Sequence, residues 1–225
     1  MDINNIGNIN IDAILDYNML QTVQAKQTFK SEALSQLGSA QEVATALMYC
    51  YRSEVSVRNY EYRESDDLNS IFHRVANWIV TPETKPWLLI YGPVGNGKTT
   101  MLKAIQRLIN SQKIKYGCYT TPMRIFNSIR IADCSIENRM FFNEMKSYEA
   151  LGIDDLGIEP LGVYNYGTLS SPMVELMLQR YETRKLTIFT SNLDLDTLSD
   201  RYKERIADRL REVCDLLHIS SESYR

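Results

Sequence analysis

The sequence predicts an α/β protein, a parallel sheet with helices on both faces, preceded by a small helical region. Three observations carry that reading. From residue 66 onward, short apolar runs alternate with stretches of helical period, as strands joined by crossover helices do. One run, WLLIY, leads directly into a glycine-rich turn and then a helix. Two further helices open on proline, whose fixed φ is already helical.

Taken in order, residues 1–65 contain no proline and only Gly7 and Gly38. SAQEVATALMYCYRSE places Val43, Ala46, Leu47 and Cys50 at helical spacing, so this part reads as a tail followed by a small helical region. The polar stretch around Arg63–Asp67 marks the boundary between residues 1–65 and a second domain over 66–225. DDLNSIFHRVANWIV is a helix with an acidic start, carrying Leu68, Ile71, Phe72, Val75 and Trp78 on one side. After the TPETKP break, WLLIY is a buried strand and KTTMLKAIQRLINSQ a helix with Leu102, Ile105 and Ile109 on one face. KIKYGCYTT is the expected second strand. TPMRIFNSIRIA then begins a helix, with Thr121 as N-cap and Pro122 as first helical residue. ALGIDDLG is a third strand running into a loop, SSPMVELMLQRYETR a helix, and KLTIFTSN a fourth strand. DTLSDRYKERIADRLREVC closes the chain as a helix with a short tail.

Composition narrows the function. The 225 residues include 25 basic and 28 acidic side chains, a net charge of −3, so the chain would not coat nucleic acid by charge alone. Four scattered cysteines form no C-x-x-C pair, and His73 and His218 have no second ligand nearby in sequence. A zinc site is not expected, and isolated thiols fit a reducing compartment. With neither a signal-like start nor an apolar run of spanning length, the expected location is the cytoplasm.

Gly92-Pro93-Val94-Gly95-Asn96-Gly97-Lys98-Thr99 fits G-x-x-x-x-G-K-[ST], and Thr100 follows. Glycines let successive backbone N–H groups turn inward around phosphate oxygens. Lys98 reaches the β- and γ-phosphates, Thr99 offers its hydroxyl to Mg²⁺, and the helix N-terminus favours the anion. The expected ligands are therefore ATP and Mg²⁺. ALGIDD ends an apolar strand in two carboxylates beside that loop, Asp154 to hold Mg²⁺ and Asp155 to orient or deprotonate water. Gly152 weakens the strand, and the short Asp155 predicts slow hydrolysis. Thr190-Ser191-Asn192 ends the fourth strand where a polar side chain can sense the triphosphate; a plain helix-capping turn also fits. Arg205 and Arg209 lie four apart on the last helix, as an arginine finger would, although a solvated face with Glu204, Asp208 and Glu212 fits the spacing equally.

GPVGNGKTT, LGIDDLGIEP, RYETRKLTIFTSN and KERIADRLRE, in this order, resemble the AAA+ ATPases of the DnaC/DnaI helicase-loader and IstB group. The similarity covers roughly residues 85–215. It implies a P-loop NTPase fold of AAA+ type with a minimal or absent C-terminal lid. Gly92–Thr100 would be Walker A, Asp154 and Asp155 Walker B, Asn192 the first sensor, Arg209 or Arg205 the finger, and Arg225 the second sensor. Residues 121–130 fall where the family's helical insertion contacts single-stranded DNA, and Arg124, Phe126 and Arg130 supply cations and a stacking ring there. An ordinary amphipathic helix of the sheet layer fits the same residues. The implied function is an ATPase loading a replicative helicase onto single-stranded DNA, self-associating with ATP and docking its partner through residues 1–65. Alternatives are an IstB-like ATPase directing a transposase, an adaptor that scarcely hydrolyses ATP, and a small-molecule P-loop kinase.

Overall fold

The computed structural model describes residues 28–116, 119–165 and 167–220, with residue pairs 5–6 and 9–10. At its centre is a five-stranded sheet of β1 (Trp87–Tyr91), β2 (Arg124–Asn127), β3 (Ala150–Asp154), β4 (Leu186–Ser191) and β5 (Cys214–His218). The spatial order is β5-β1-β4-β3-β2, and every pairing is parallel. Parallel strands need crossovers, and those crossovers cover both faces of the sheet.

One face carries α2 (Ala40–Val57), α3 (Asp66–Val80) and α4 (Lys98–Ser111) against Leu88, Ile90, Ile188 and Leu217. The other carries α5 (Ser128–Glu137), α6 (Arg139–Ser147), α7 (Pro172–Glu182), α8 (Leu195–Tyr202) and α9 (Glu204–Val213) against Trp87, Leu89, Ile153 and Phe189. Alternate residues of β1 thus feed opposite cores, as the period of a strand requires. The chain leaves β1 for the first face and leaves β4, its neighbour, for the second. The C-terminal edges of these two strands therefore open a crevice of the kind in which α/β proteins bind ligands.

The short helix α1 (Phe29–Glu32) and α2 share the first core, with Phe29, Leu34, Val43, Leu47 and Tyr51 buried beside Phe72 and Ile105. Packing therefore runs across the stretch Arg63–Asp67, where the sequence places a domain boundary. Ser65 caps α3 by accepting from the Leu68 N–H, and Glu54 pairs with Arg107 at 2.6 Å to tie α2 to α4.

Two sequence expectations are corrected here. Residues 115–116 and 119–120 form a small antiparallel ladder, and the second strand of the main sheet is Arg124–Asn127, read from sequence as helix. Pro122 precedes a strand instead of starting a helix. The helix begins at Ser128, with Asn127 as N-cap accepting from Ile129 N–H at 3.0 Å. Asn110 of α4 fixes the strand entry by exchanging hydrogen bonds with the Met123 backbone at 2.8 and 3.2 Å. The expected C-terminal tail contains β5. The preceding helical stretch breaks at Lys203, whose φ is 63°, giving α8 and α9. Asp215 obscures the strand signal in sequence, and its carboxylate accepts the Lys85 N–H at 3.1 Å.

Gly152 of β3 lies against Leu102 of α4 and Ile125 of β2. A Cβ there would sit 2.8 Å from Ile125, 3.0 Å from Leu102 and 3.1 Å from Met123. Gly152→Val should overpack this layer and lower stability by about 1–3 kcal/mol in urea unfolding; unchanged stability would refute the packing account.

Candidate functional site

The loop between β1 and α4 takes its shape from glycines and from the end of the sheet. Gly92, Gly95 and Gly97 have φ of 145°, 89° and 89°. At Gly92 the backbone after β5 passes so close that a Cβ would meet the Ile219 carbonyl oxygen at 2.2 Å. Ile219 N–H donates to Tyr91 O at 2.9 Å, and the buried Asn96 amide donates to Ile219 O. Pro93 and Val94 form the exposed crown of the loop. Gly97 is the N-cap of α4 and no side chain caps that helix. Its first-turn N–H groups therefore point at the loop's concavity, a setting for anion binding.

Lys98 folds back into the loop, donating to Gly92 O at 2.8 Å, Pro93 O at 2.6 Å and Asn96 Oδ1 at 3.1 Å. Burial pushes its ammonium pKa down, while Asp155 and Asp154 pull it back up. Thr99, the next residue, donates to Asp154 Oδ1 at 2.9 Å across the gap between α4 and β3. A hydroxyl and a carboxylate side by side make a hard-oxygen donor set of the kind that fits Mg²⁺.

β4 sets the acidic pair. Thr190 is buried; it donates to Asp154 Oδ1 at 2.6 Å and accepts from Asp155 N–H at 2.9 Å. Asp155 is further held by Asn127 Nδ2 at 3.3 Å and by Ser128 donating to its backbone oxygen at 2.7 Å, in a left-handed conformation with φ 57°. Ser191 fixes the following turn through Leu156 O at 2.7 Å and Leu193 N–H at 3.0 Å. Asn192 is exposed and lines the same cavity as Lys98 and Asp155.

That cavity, about 320 Å³, is bounded on one side by Gly95–Thr100, Asp155 and Asn192. Its other wall is the end of α2 and the loop after it, including Tyr51, Arg58, Tyr60 and Tyr62. Sequence reading missed this wall because it assigns residues 1–65 to a separate region, bounded at Arg63–Asp67, and so away from the phosphate loop. The run RNYEYR, aromatic and cationic residues interleaved, was the available signal.

The family profile of the IstB-like ATP binding proteins matches residues 38–225. The chain belongs to this family. Solved structures with the same fold include DnaI at 17% identity and TM-score 0.52, over 77% of this chain and 93% of that chain. The DnaC helicase loader matches at 20% and 0.52, over 71% and 94%. A putative primosome component from Streptococcus pyogenes serotype M3 matches at 18% and 0.55, over 72% and 84%. No curated protein sequence gives a significant match. The IstB-like chain is thus an ATP-binding AAA+ protein, and none of its described helices is long and apolar enough to cross a membrane.

Arg124, Phe126, Arg130 and Arg209 do not line the cavity. Arg209, on α9, places its guanidinium 4.9 Å from the Tyr181 ring, whose hydroxyl donates to Glu212 at 2.6 Å. Arg205 lies on the same helix, but its side chain, like Arg225, falls outside the described residues. Arg124 and Phe126 are on the edge strand β2 and Arg130 is on α5, so the expected shared helix face is not formed. Phe126 packs edge-on to Phe141 at 5.5 Å and parallel to Tyr148 at 6.4 Å, and Arg130 pairs with Glu137 at 2.9 Å.

Proposed function

We propose that this protein is an ATP-dependent helicase loader whose nucleotide site acts between subunits. The observation that carries the site reading is the convergence of Lys98, Thr99, Asp154, Thr190 and Asp155 at the crevice between β1, β3 and β4. Gly92–Thr100 would wrap the phosphates, with Lys98 exchanging its loop carbonyls for phosphate oxygens. Thr99 and Asp154 would hold Mg²⁺, which neutralises phosphate charge when bound. Asp155 would orient or deprotonate the attacking water, and Asn192 would sense the terminal phosphate.

Arg209, stacked on Tyr181 outside its own cavity, would serve the cavity of a neighbouring subunit, with Arg205 as the alternative. Arg209→Ala should bind ATP normally and lose most turnover, and mixing it with a Lys98→Ala chain should restore activity at mixed interfaces. Residues 1–65 would grip the helicase; Tyr49 and Val57 leave exposed apolar surface on α2 for that contact. Single-stranded DNA would contact the exposed Arg124 and Arg130, while Phe126 stays packed on Phe141 and Tyr148. Solved relatives named as a helicase loader and a primosome component support this reading.

The family match favours a second reading, a transposition ATPase that directs a transposase. Affinity purification with a non-hydrolysable ATP analogue separates the two. Recovery of a hexameric helicase supports the loader, and recovery of a transposase without helicase overturns it.

A further inference from the structure

We propose that Arg58, delivered by the N-terminal helix α2, is a phosphate-binding arginine acting in its own subunit's nucleotide site. The proposal rests on the reading of Gly92–Thr100 as a phosphate cradle and adds a contact from outside it. Arg58 Nη1 donates to Thr100 Oγ1 at 3.1 Å, and both residues line the cavity that holds Lys98 and Asp155. Successive helix residues point about 100° apart. Thr99 faces Asp154 on the sheet side, while Thr100 faces Arg58 on the α2 side. The guanidinium therefore stands across the loop from the acidic pair, and the proposal assigns it to the phosphates that ATP and ADP share.

Its placement is built into the fold. Arg58 is the C-cap of α2, and Asn59 follows in the left-handed region with φ 58°. Asn59 N–H bonds Ser56 O at 3.0 Å and Tyr60 N–H bonds Val55 O at 3.3 Å, a Schellman closure that fixes where the helix stops. Leu47 and Tyr51 in the shared core, with the Glu54–Arg107 pair at 2.6 Å, hold α2 on α4. A hydroxyl is a weak partner for a guanidinium, and an arriving phosphate offers charge-assisted bonds in its place. Phosphate binding would thereby clamp α2, part of the proposed docking region, onto the P-loop helix.

The test uses full-length wild type, Arg58→Ala and Arg58→Lys, titrated with ATP and ADP, with hydrogen exchange of residues 40–63 read with and without ADP. Arg58→Ala should weaken both nucleotides by about tenfold, the loss of one charge-assisted contact, with Arg58→Lys in between. ADP should slow exchange at residues 51–63 in wild type and not in Arg58→Ala. Equal affinities, or equal ADP protection in the two proteins, would overturn the proposal and leave the P-loop reading standing. Wild type that binds neither nucleotide would remove both. Thermal melts without nucleotide show whether each variant is folded, and Arg58→Lys carries the test if Arg58→Ala is not.

Discussion

Lys98→Ala should lower ATP affinity about 100-fold or more. The ammonium now satisfies three oxygens of its own loop, Gly92 O, Pro93 O and Asn96 Oδ1, in a buried position that pushes its pKa down. Entry of a triphosphate replaces those neutral acceptors with charged ones and removes the electrostatic penalty of burial. Each hydrogen bond to a charged group contributes roughly 1.5–3 kcal/mol, so losing two corresponds to about two orders of magnitude or more in affinity. Pro93 is exposed and Asn96 lines the open cavity, so water can replace the ammonium there and the variant should remain folded. Titration with a fluorescent ATP analogue reads the effect, and affinity within fivefold of wild type would sink the cradle reading.

The second large effect concerns stability. Arg180 is fully buried on α7, yet it bonds only neutral acceptors: Thr187 Oγ1 at 2.9 Å, Met145 O at 3.1 Å, and Tyr148 O and Leu186 O at 2.7 Å. Burial pushes its pKa down to about 9, opposed by Glu149. The guanidinium ties the end of α6, the body of α7 and the start of β4 into one unit, and β4 carries Thr190 to the site. Arg180→Ala would strand these acceptors in a dry interior and leave a void. The expected loss is about 3–5 kcal/mol, or roughly 10 °C in thermal midpoint for a chain this size. Lysine should rescue little, because one ammonium cannot span acceptors arranged for a planar fork. Denaturant unfolding checks this, and a loss below about 1 kcal/mol would contradict it.

The parts legible in the sequence were those whose physics is local. WLLIY, the glycine spacing, ALGIDD and KLTIFTSN each announce themselves within ten residues, and they form β1, the loop, β3 and β4. RIFN failed because the proline preceding it carries a strong helix-start signal, whereas its strand pairing with β3 is a tertiary fact. CDLLH failed for a similar reason: only the neighbouring β1 makes five residues containing an aspartate into a strand. In the site, the lysine and the carboxylates were readable from motif. Thr190 lay within the expected strand end, but its bond to Asp154 was not, and neither was the reach of Arg58 to Thr100 across more than forty residues of chain. Arg180 sits in RYETRKLTIFTSN, one of the four stretches that carry the resemblance, and its burial gives the first residue of that stretch a physical reason.

The passage of residue 219 over Gly92 also places events in time. A ribosome releases the glycine-rich loop when less than half of the described fold exists. The strand that flanks β1, and the carbonyl that receives the Asn96 amide, emerge only near residue 219. Until then Asn96 lacks the partner that holds it beside Lys98, and the cradle has no roof. In a nascent chain the surroundings of the glycine-rich loop are therefore completed only late in synthesis, when β5 joins the sheet beside β1.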